Sequence, residues 1–306
     1  MDRKSIAILV VCFILLMLWF PLVNRIFPPK PLAPGATNAT SVTVTGTNQA
    51  APVEQPSAST DTAFAPAVPA IPTLVANTNA PEQTVVLTNN HGRFTFTSHG
   101  GGVKLIELPE YPETVMTRRE AKAGEDPGMA TLNTHTPAPT LALLDGPAVQ
   151  GDGVYELTST ENTLRAEKTL ANGLSIVKTF TLSTNYLVSS TVRLENRSGQ
   201  PLQLPAQEWV VGTATPLNPQ DDGSAVGAMW FNGSKDQDVS APWFANKTLG
   251  CFPGTPRSEF RDGQSNVVWV AVHNQFFTLA AMPEHPAQQV VVRKISLPRF
   301  TGEQAR

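Results

Sequence analysis

Leu164-Arg165-Ala166-Glu167-Lys168-Thr169-Leu170, then Ala171-Asn172-Gly173, then Leu174-Ser175-Ile176-Val177-Lys178-Thr179-Phe180-Thr181-Leu182 reads as two strand-like runs around an Asn-Gly step. Alternation of apolar and polar residues marks a half-buried strand, and Asn-Gly supplies the positive φ that a type I′ hairpin turn requires. The stretch predicts an antiparallel hairpin, and similar signals recur on both sides of it. Upstream, Val85-Val86-Leu87 leads into the turn Asn89-Asn90-His91-Gly92, and Arg93-Phe94-Thr95-Phe96-Thr97 alternates again. Gly100-Gly101-Gly102 predicts a tight turn before a strand over Val103–Leu108, while Tyr111–Pro139 gathers charge, Pro and Gly and reads as loop. Downstream, Leu187–Leu194, Asn196-Arg197-Ser198-Gly199 and Leu202–Leu204 predict a second hairpin, Trp209-Val210-Val211 a further strand, and Leu217–Gly223 a polar loop. Val267–Ala281 is a long β-forming stretch ended by Pro283, and Val290-Val291-Val292 is one more strand. Many short strands with turn signals, and no convincing helix among them, specify a mainly β chain built as a sandwich of antiparallel sheets.

The chain begins differently. Asp2-Arg3-Lys4 precedes an uncharged apolar run from Ile6 to Val23. At about 1.5 Å per helical residue the run approaches the roughly 30 Å of a bilayer's hydrocarbon core. Ile6, Leu9, Phe13, Leu16, Trp19 and Phe20 belong to the membrane anchor in this reading, with Trp19 and Phe20 near headgroup level. A signal peptide is shorter and ends at small residues, whereas Asn24-Arg25-Ile26-Phe27-Pro28 offers no such step. Leu9-Val10-Val11-Cys12 has the outline of a lipoprotein box, but Val11 is bulky and most of the apolar run follows Cys12. The expectation is an uncleaved transmembrane anchor over residues 1–27, with the amino terminus cytoplasmic and the bulk exported. Residues 28–81 are rich in Ala, Pro and Thr and nearly uncharged, which predicts a disordered tether. Residues 82–306 form the β domain.

Composition narrows the function classes. The chain has 306 residues, a formal net charge of −3 and 15% charged residues, so no basic patch invites nucleic acid. Its cysteines are Cys12, in the apolar run, and Cys251, so an internal disulfide is not expected. His91, His99, His135, His273 and His285 lie at no metal-ligand spacing from one another or from Cys251, and no Gly-x-Ser-x-Gly elbow exists. Gly100-Gly101-Gly102 opens into a strand, so it lacks the helix N-terminus of a phosphate loop. Asp221-Asp222-Gly223 and Asp236-Gln237-Asp238 read as short acidic loops without the full ligand ladder of a calcium site. No catalytic, cofactor-binding or metal-ligating residue emerges, and the reading is a non-enzyme without a cofactor.

Three stretches carry a resemblance. Met1-Asp2-Arg3-Lys4-Ser5-Ile6 with its apolar run and the exit Leu18-Trp19-Phe20-Pro21 is one. Thr84–Leu108, including Gly100, Gly101 and Gly102, is the second. Val268–Pro283, with Trp269, Phe276, Phe277 and Pro283, is the third. In this order they resemble the amino-terminal part of the YidC-type bacterial membrane protein insertases. The resemblance implies a β-supersandwich of the galactose-mutarotase kind. It implies a role in inserting and folding inner-membrane proteins, alone or with the Sec translocon. The implied partners are the inner-membrane lipid bilayer, nascent membrane proteins, and the Sec translocon with its accessory subunits. The implied place is the bacterial inner membrane, with the β domain periplasmic.

The family's insertase groove, with its arginine, is built from later membrane helices. Val267–Ala281 is interrupted by His273-Asn274-Gln275, and no second spanning run is found. The expectation is an amino-terminal fragment, cut short at the C-terminal end of its β domain. Two rivals stand beside it. One is a membrane-anchored periplasmic carbohydrate-binding or sugar-epimerising sandwich, with His273 and Glu208 or Glu284 as an acid/base pair. The other is a complete single-span envelope protein ending at Arg306.

Overall fold

The structure is a computed structural model. It describes residues 79–114, 124, 126–133, 136–144, 146–218, 221–247 and 254–295, together with residue 74. The anchor with Ile6, Leu9, Phe13, Leu16, Trp19 and Phe20, nearly all of the tether, His135, Cys251 and the last residues to Arg306 lie outside the described residues. Among the described residues no helix is long and apolar enough to cross a membrane.

The domain is almost wholly antiparallel β. A first sheet joins β1 (Thr84–Thr88), β2 (Arg93–Thr97), β3 (Gly102–Leu108) and β4 (Ala130–Leu132) in that order. A second joins β6 (Glu156–Ser159), β7 (Thr163–Thr169), β8 (Leu174–Leu182) and β9 (Val188–Asn196). A two-stranded ribbon pairs β5 (Leu143–Leu144) with β10 (Glu208–Trp209). The third sheet has the order β12 (Asp236–Ser240), β11 (Gly227–Phe231), β14 (Trp269–His273), β15 (Thr278–Ala281). A second ribbon pairs β13 (Glu259–Asp262) with β16 (Val290–Arg293). Among the described residues helix is limited to single turns: α1 (Gly146–Gln150), a 3-10 turn at Gly223–Ala225, and α2 (Ala241–Ala245).

Side-chain parity explains the packing. In β8, Leu174, Ile176, Lys178, Phe180 and Leu182 point the same way, and all are buried. Phe180 and Leu182, with Leu164 of β7, meet Leu87, Phe94, Phe96, Val103 and Ile106 of the first sheet in one core. The second core lies under the other end of β7 and β8. There Ala166, Leu170, Leu174 and Ile176 pack with Leu143, Val149 and Tyr155, and Trp209 lies against them. A third core binds the third sheet to the ribbon β13/β16 through Trp230, Val239, Phe244, Val267 and Val290, with Phe260 and Trp243 against them. Phe277 and Leu279 carry the third sheet into contact with the first core.

Several sequence expectations change in detail. The 164–182 hairpin forms, but φ is positive at Gly173 (84°) and not at Asn172, so the turn is not type I′. Leu170 and Leu174 bond through Leu170 N–H to Leu174 O (2.8 Å), and Gly173 N–H reaches Leu170 O (2.9 Å). Ala171, Asn172 and Gly173 thus make a three-residue loop with a left-handed glycine at its end. The second hairpin does not form. β9 returns along β8, Asn196 Oδ1 caps the turn at Ser198 N–H (3.0 Å), and Leu202–Leu204 form no strand. Pro201 and Pro205 flank that segment, and each removes a ladder donor. The expected loop 111–139 contains β4, and Trp209-Val210-Val211 shortens to the strand Glu208–Trp209. Asp236-Gln237-Asp238 is not a loop but the start of β12. Val267–Ala281 folds as two strands around a turn at Asn274–Phe277. The sequence pattern marks no strand at β4, β5, β6, β11, β12 or β13.

Candidate functional site

The glycine turn is set by close approach. Gly100 and Gly101 have φ of 83° and 57°, which favour glycine. A Cβ on Gly101 would lie 2.6 Å from the Tyr155 ring, and one on Gly102 would lie 2.0 Å from the carbonyl oxygen of Thr140. The turn is stitched to its surroundings by Gly100 N–H to Gly153 O (2.8 Å), Tyr155 N–H to Ser98 O (2.9 Å) and the mutual pair Val103 and Thr140. Trp269 opens β14 and stacks on Phe231 of β11 at 6.4 Å. Phe276 and Phe277 form the β14–β15 turn, and Pro283 follows β15. The structure thus places Gly100–Gly102 at the junction of the first two sheets, and Trp269, Phe276, Phe277 and Pro283 along the third.

Beneath the glycine turn lies Lys178, which the sequence reading passed over. Its side chain is fully buried, and Nζ donates to Gly100 O and Leu141 O, each at 2.7 Å. The ring centroids of Tyr155 and Trp209 lie 4.5 and 5.4 Å from Nζ. Burial, and then the Lys168 ammonium, push the Lys178 pKa down to about 7. Lys168, itself nearly buried, pairs with Asp152. Burial, followed by the Asp152 charge, pushes the Tyr155 hydroxyl up beyond its usual range. Parity could have found the lysine: Lys178 stands at an inward position between Ile176 and Phe180.

A band of half-exposed rings runs from the first sheet to the third. His91 lies 5.2 Å from Tyr186, Tyr186 lies 6.5 Å from Tyr111, and Tyr111 meets Phe277 edge-on at 5.5 Å. Glu110 accepts the Tyr186 hydroxyl (2.8 Å) and faces His91 Nδ1 (3.1 Å), and these two contacts hold its carboxyl below the usual range. Leu187, Phe276 and Met282 are exposed by 65%, 59% and 76%, far more than large apolar residues in the cores.

The acid/base pair of the sugar reading does not gain support from its neighbourhood. Glu208 is engaged by both terminal guanidinium nitrogens of Arg293, and His273 Nδ1 lies 3.3 Å from the carbonyl oxygen of Asn274. The pocket beside His273 has room for about one water molecule. Its buried amides are spent on the backbone. Asn133 donates to Val103 O and Lys104 O and accepts from Thr213 N–H, while Asn274 Oδ1 accepts from the N–H groups of Phe276 and Phe277. Asp236 and Asp238 lie on the same side of β12 by the period of a strand, facing Phe231 and Met229 across the ladder. Among the described residues no three metal-ligating side chains converge.

No curated protein matches this chain. A family model described as the YidC periplasmic domain does match, over residues 84–302. That span begins at the first residue of β1 and runs past the last residue of β16, so it takes in all three sheets and both ribbons. It also includes the glycine turn with its buried lysine, the band of rings and the turn at Phe276-Phe277. A match over more than half of the chain, on an antiparallel β domain that agrees with it, decides the relationship: the chain belongs to the YidC periplasmic-domain family.

Proposed function

We propose that this chain is the anchor and periplasmic domain of a membrane protein insertase and chaperone, acting on nascent inner-membrane proteins alone or beside the Sec translocon. The family match over residues 84–302 carries this reading. Membership makes the chain part of an inner-membrane protein with a periplasmic bulk, in a family that is not an enzyme family. The domain's role is then contact rather than covalent chemistry. Its exposed apolar side chains, Leu187, Phe276 and Met282, together with the Tyr111–Tyr186 band, supply surface for such contact. The amino terminus is cytoplasmic in this proposal, and the tether spaces the domain from the bilayer.

The test uses bacterial cells whose own insertase can be switched off. The complete gene product that contains this chain is supplied with a photo-reactive residue at position 187, 276 or 282. Insertion of a small single-span protein is followed by protease protection. The expected result is restored insertion, with cross-links to the nascent protein or to translocon subunits. A gene product that restores no insertion and cross-links to neither would overturn the reading. Binding of a sugar at millimolar concentration by that same protein would put the carbohydrate alternative in its place.

A further inference from the structure

Among the described residues, Lys178 is a cation held in the core with no carboxylate on it. Its partners are two carbonyl oxygens and the faces of two rings, and the formal charge acting on it is a like charge, Lys168 of the neighbouring strand. A buried ammonium in that position is costly, and shedding the proton is the ordinary way to lower the cost. The charged form nevertheless has a use there. An ammonium offers three protons, which two carbonyls and a ring face can receive. A neutral amine keeps the two carbonyl bonds and presents a lone pair on its remaining side. Both forms are accommodated when the core is closed, and the charged form is far better solvated when it opens.

The bonds of Lys178 run to two separate segments. Gly100 O belongs to the turn between β2 and β3, and Leu141 O belongs to the segment leading into β5. Leu141 itself has a positive φ of 64° and bonds through its N–H to Val210 O. One side chain on β8 therefore fastens the second sheet to the first sheet and to the β5/β10 ribbon. We propose that Lys178 is a proton-linked latch: proton uptake by its amine favours opening of the junction between β8, the Gly100–Gly102 turn and the Pro139–Leu144 segment, and proton release favours closure.

Among the described residues the charged groups around it are few. From β7 comes Lys168, and beyond it Asp152, which pairs with Lys168. Tyr155 supplies a ring and a hydroxyl that burial keeps protonated. Beside Trp209, Glu208 is committed to Arg293. Next to the turn, His99 directs Nε2 to the carbonyl of Ala80 (3.2 Å). Residues 139–144 bring no ionisable side chain. The sign follows from linkage. The closed-state pKa lies near 7 and that of an exposed lysine near its ordinary 10.5. Between these values the open form binds more protons, so closure strengthens as pH rises through that window and is insensitive to pH below it.

The latch does not depend on the insertase reading, because its test follows one side chain in purified protein. The full chain in detergent micelles, with lysine labelled at the ε carbon, is titrated by nuclear magnetic resonance, and the Lys178 signal is assigned from K178M. In parallel, amide exchange is measured at Gly100, Val103, Thr140 and Leu141, corrected for its intrinsic pH dependence. Lys178 is expected to titrate near 7, and protection at those amides to fall about tenfold per pH unit from pH 9 to 7 and then level off. K178M should give a flat profile. Should K178M fail to fold, K168Q keeps the test alive: removing the like charge must move the Lys178 titration and the break in the exchange profile to higher pH. A lysine that titrates near 10.5, protection that is flat from pH 7 to 9 in the native chain, or a K168Q titration that does not move would each overturn the latch.

Discussion

The two halves of this domain bury a cation in opposite ways. In the first half, where two four-stranded sheets face each other, Lys178 sits in the core on carbonyl oxygens and ring faces. In the second half, Arg293 lies at the seam of the β13/β16 ribbon with two carboxylates on it, Glu208 and Glu259. Burial opposes the arginine's charge, but Glu208 and Glu259 more than offset it, so Arg293 holds its proton more firmly than usual. The fillings differ as well. The first core is largely aliphatic around the Phe96–Phe180 pair, and the third is aromatic, with Phe260 in contact with both Trp230 and Trp243. A cation with counter-ions can hold two elements together at every physiological pH. A cation without them makes its junction answer to protons.

Truncating an anchor in either core should have the largest effect. Phe180→Ala and Trp230→Ala should each cost about 3–5 kcal/mol, read from denaturant midpoints, since both side chains are fully buried. Trp230 also loses its Nε1 hydrogen bond to Asp262 (2.9 Å). Phe277 and Leu279 of the third sheet pack on the first core, and Arg293 crosses from β16 to β10. Both substitutions should therefore move a single cooperative transition. If Trp230→Ala shifts one transition and leaves another in place, the halves fold independently and the seam contacts are weak.

The glycine turn comes next. Gly102→Ala puts a methyl against the backbone oxygen of Thr140, which cannot swing aside as a side chain can. Overpacking of that kind costs about 1–3 kcal/mol. Gly223→Ala, with nothing within 4 Å of the new carbon, should stay within about 0.5 kcal/mol. Equal midpoints for the two variants would mean that the turn yields and that the junction above Lys178 is loose.

These contrasts also show how much of the molecule could be read from the sequence. In the first half the strands β1, β2, β3, β7, β8 and β9 were legible because their apolar residues alternate and their turns carry Gly or Asn-Gly. In the second half, β12 reads Asp-Gln-Asp-Val-Ser and buries only Val239, so it resembles a polar loop. β13, Glu-Phe-Arg-Asp, is kept as a strand by Arg293 and its β16 partner rather than by its own pattern. Strand β11 begins with Gly227, which accepts close contact from Val239 O and Ser240 and weakens any propensity signal. The glycine turn was visible as a turn, but its reason was not. Tyr155 and Thr140 approach it from segments 38 or more residues away, and no local pattern encodes such contacts. Lys178 was hidden for the opposite cause: a lysine in a strand is ordinarily read as a solvent-facing residue, and only counting parity from Ile176 and Phe180 turns it inward.

The arginine seam should give a smaller effect than the cores. Glu208→Gln removes one charged partner and leaves Glu259, so a loss of about 1–2 kcal/mol is expected by thermal or denaturant unfolding. Its pH signature separates it from Lys178. Arg261, against the cost of burial, and then Arg293 hold the Glu259 carboxyl below its usual 4.5. A depressed carboxyl contributes stability that is fully present above the unfolded value and lost as pH falls below it. Native protein should therefore weaken from about pH 4.5 downward, and Arg293→Met should make that slope shallower, Arg261 still acting on Glu259, while leaving the profile between pH 7 and 9 unchanged. A change above pH 7 in Arg293→Met would mean that the seam and the latch are coupled.

The smallest effect belongs to the tether. Residues 28–81 carry few charges and no apolar periodicity, so they supply little that a core could use. The contacts that begin the domain start later. Ala80 accepts from His99, Glu82 is held by Lys104 and Thr97, and Gln83 bonds to Ser98. Deleting residues 41–64 spares all of these. The unfolding midpoint of the remaining chain should then move by less than about 0.5 kcal/mol, the range of surface changes that touch nothing. A fall of several degrees in Tm would show that the deleted stretch packs on one of the two halves. Repeating the deletion in Phe180→Ala and in Trp230→Ala would then show which, because the two losses add where they are independent and couple where they share contacts.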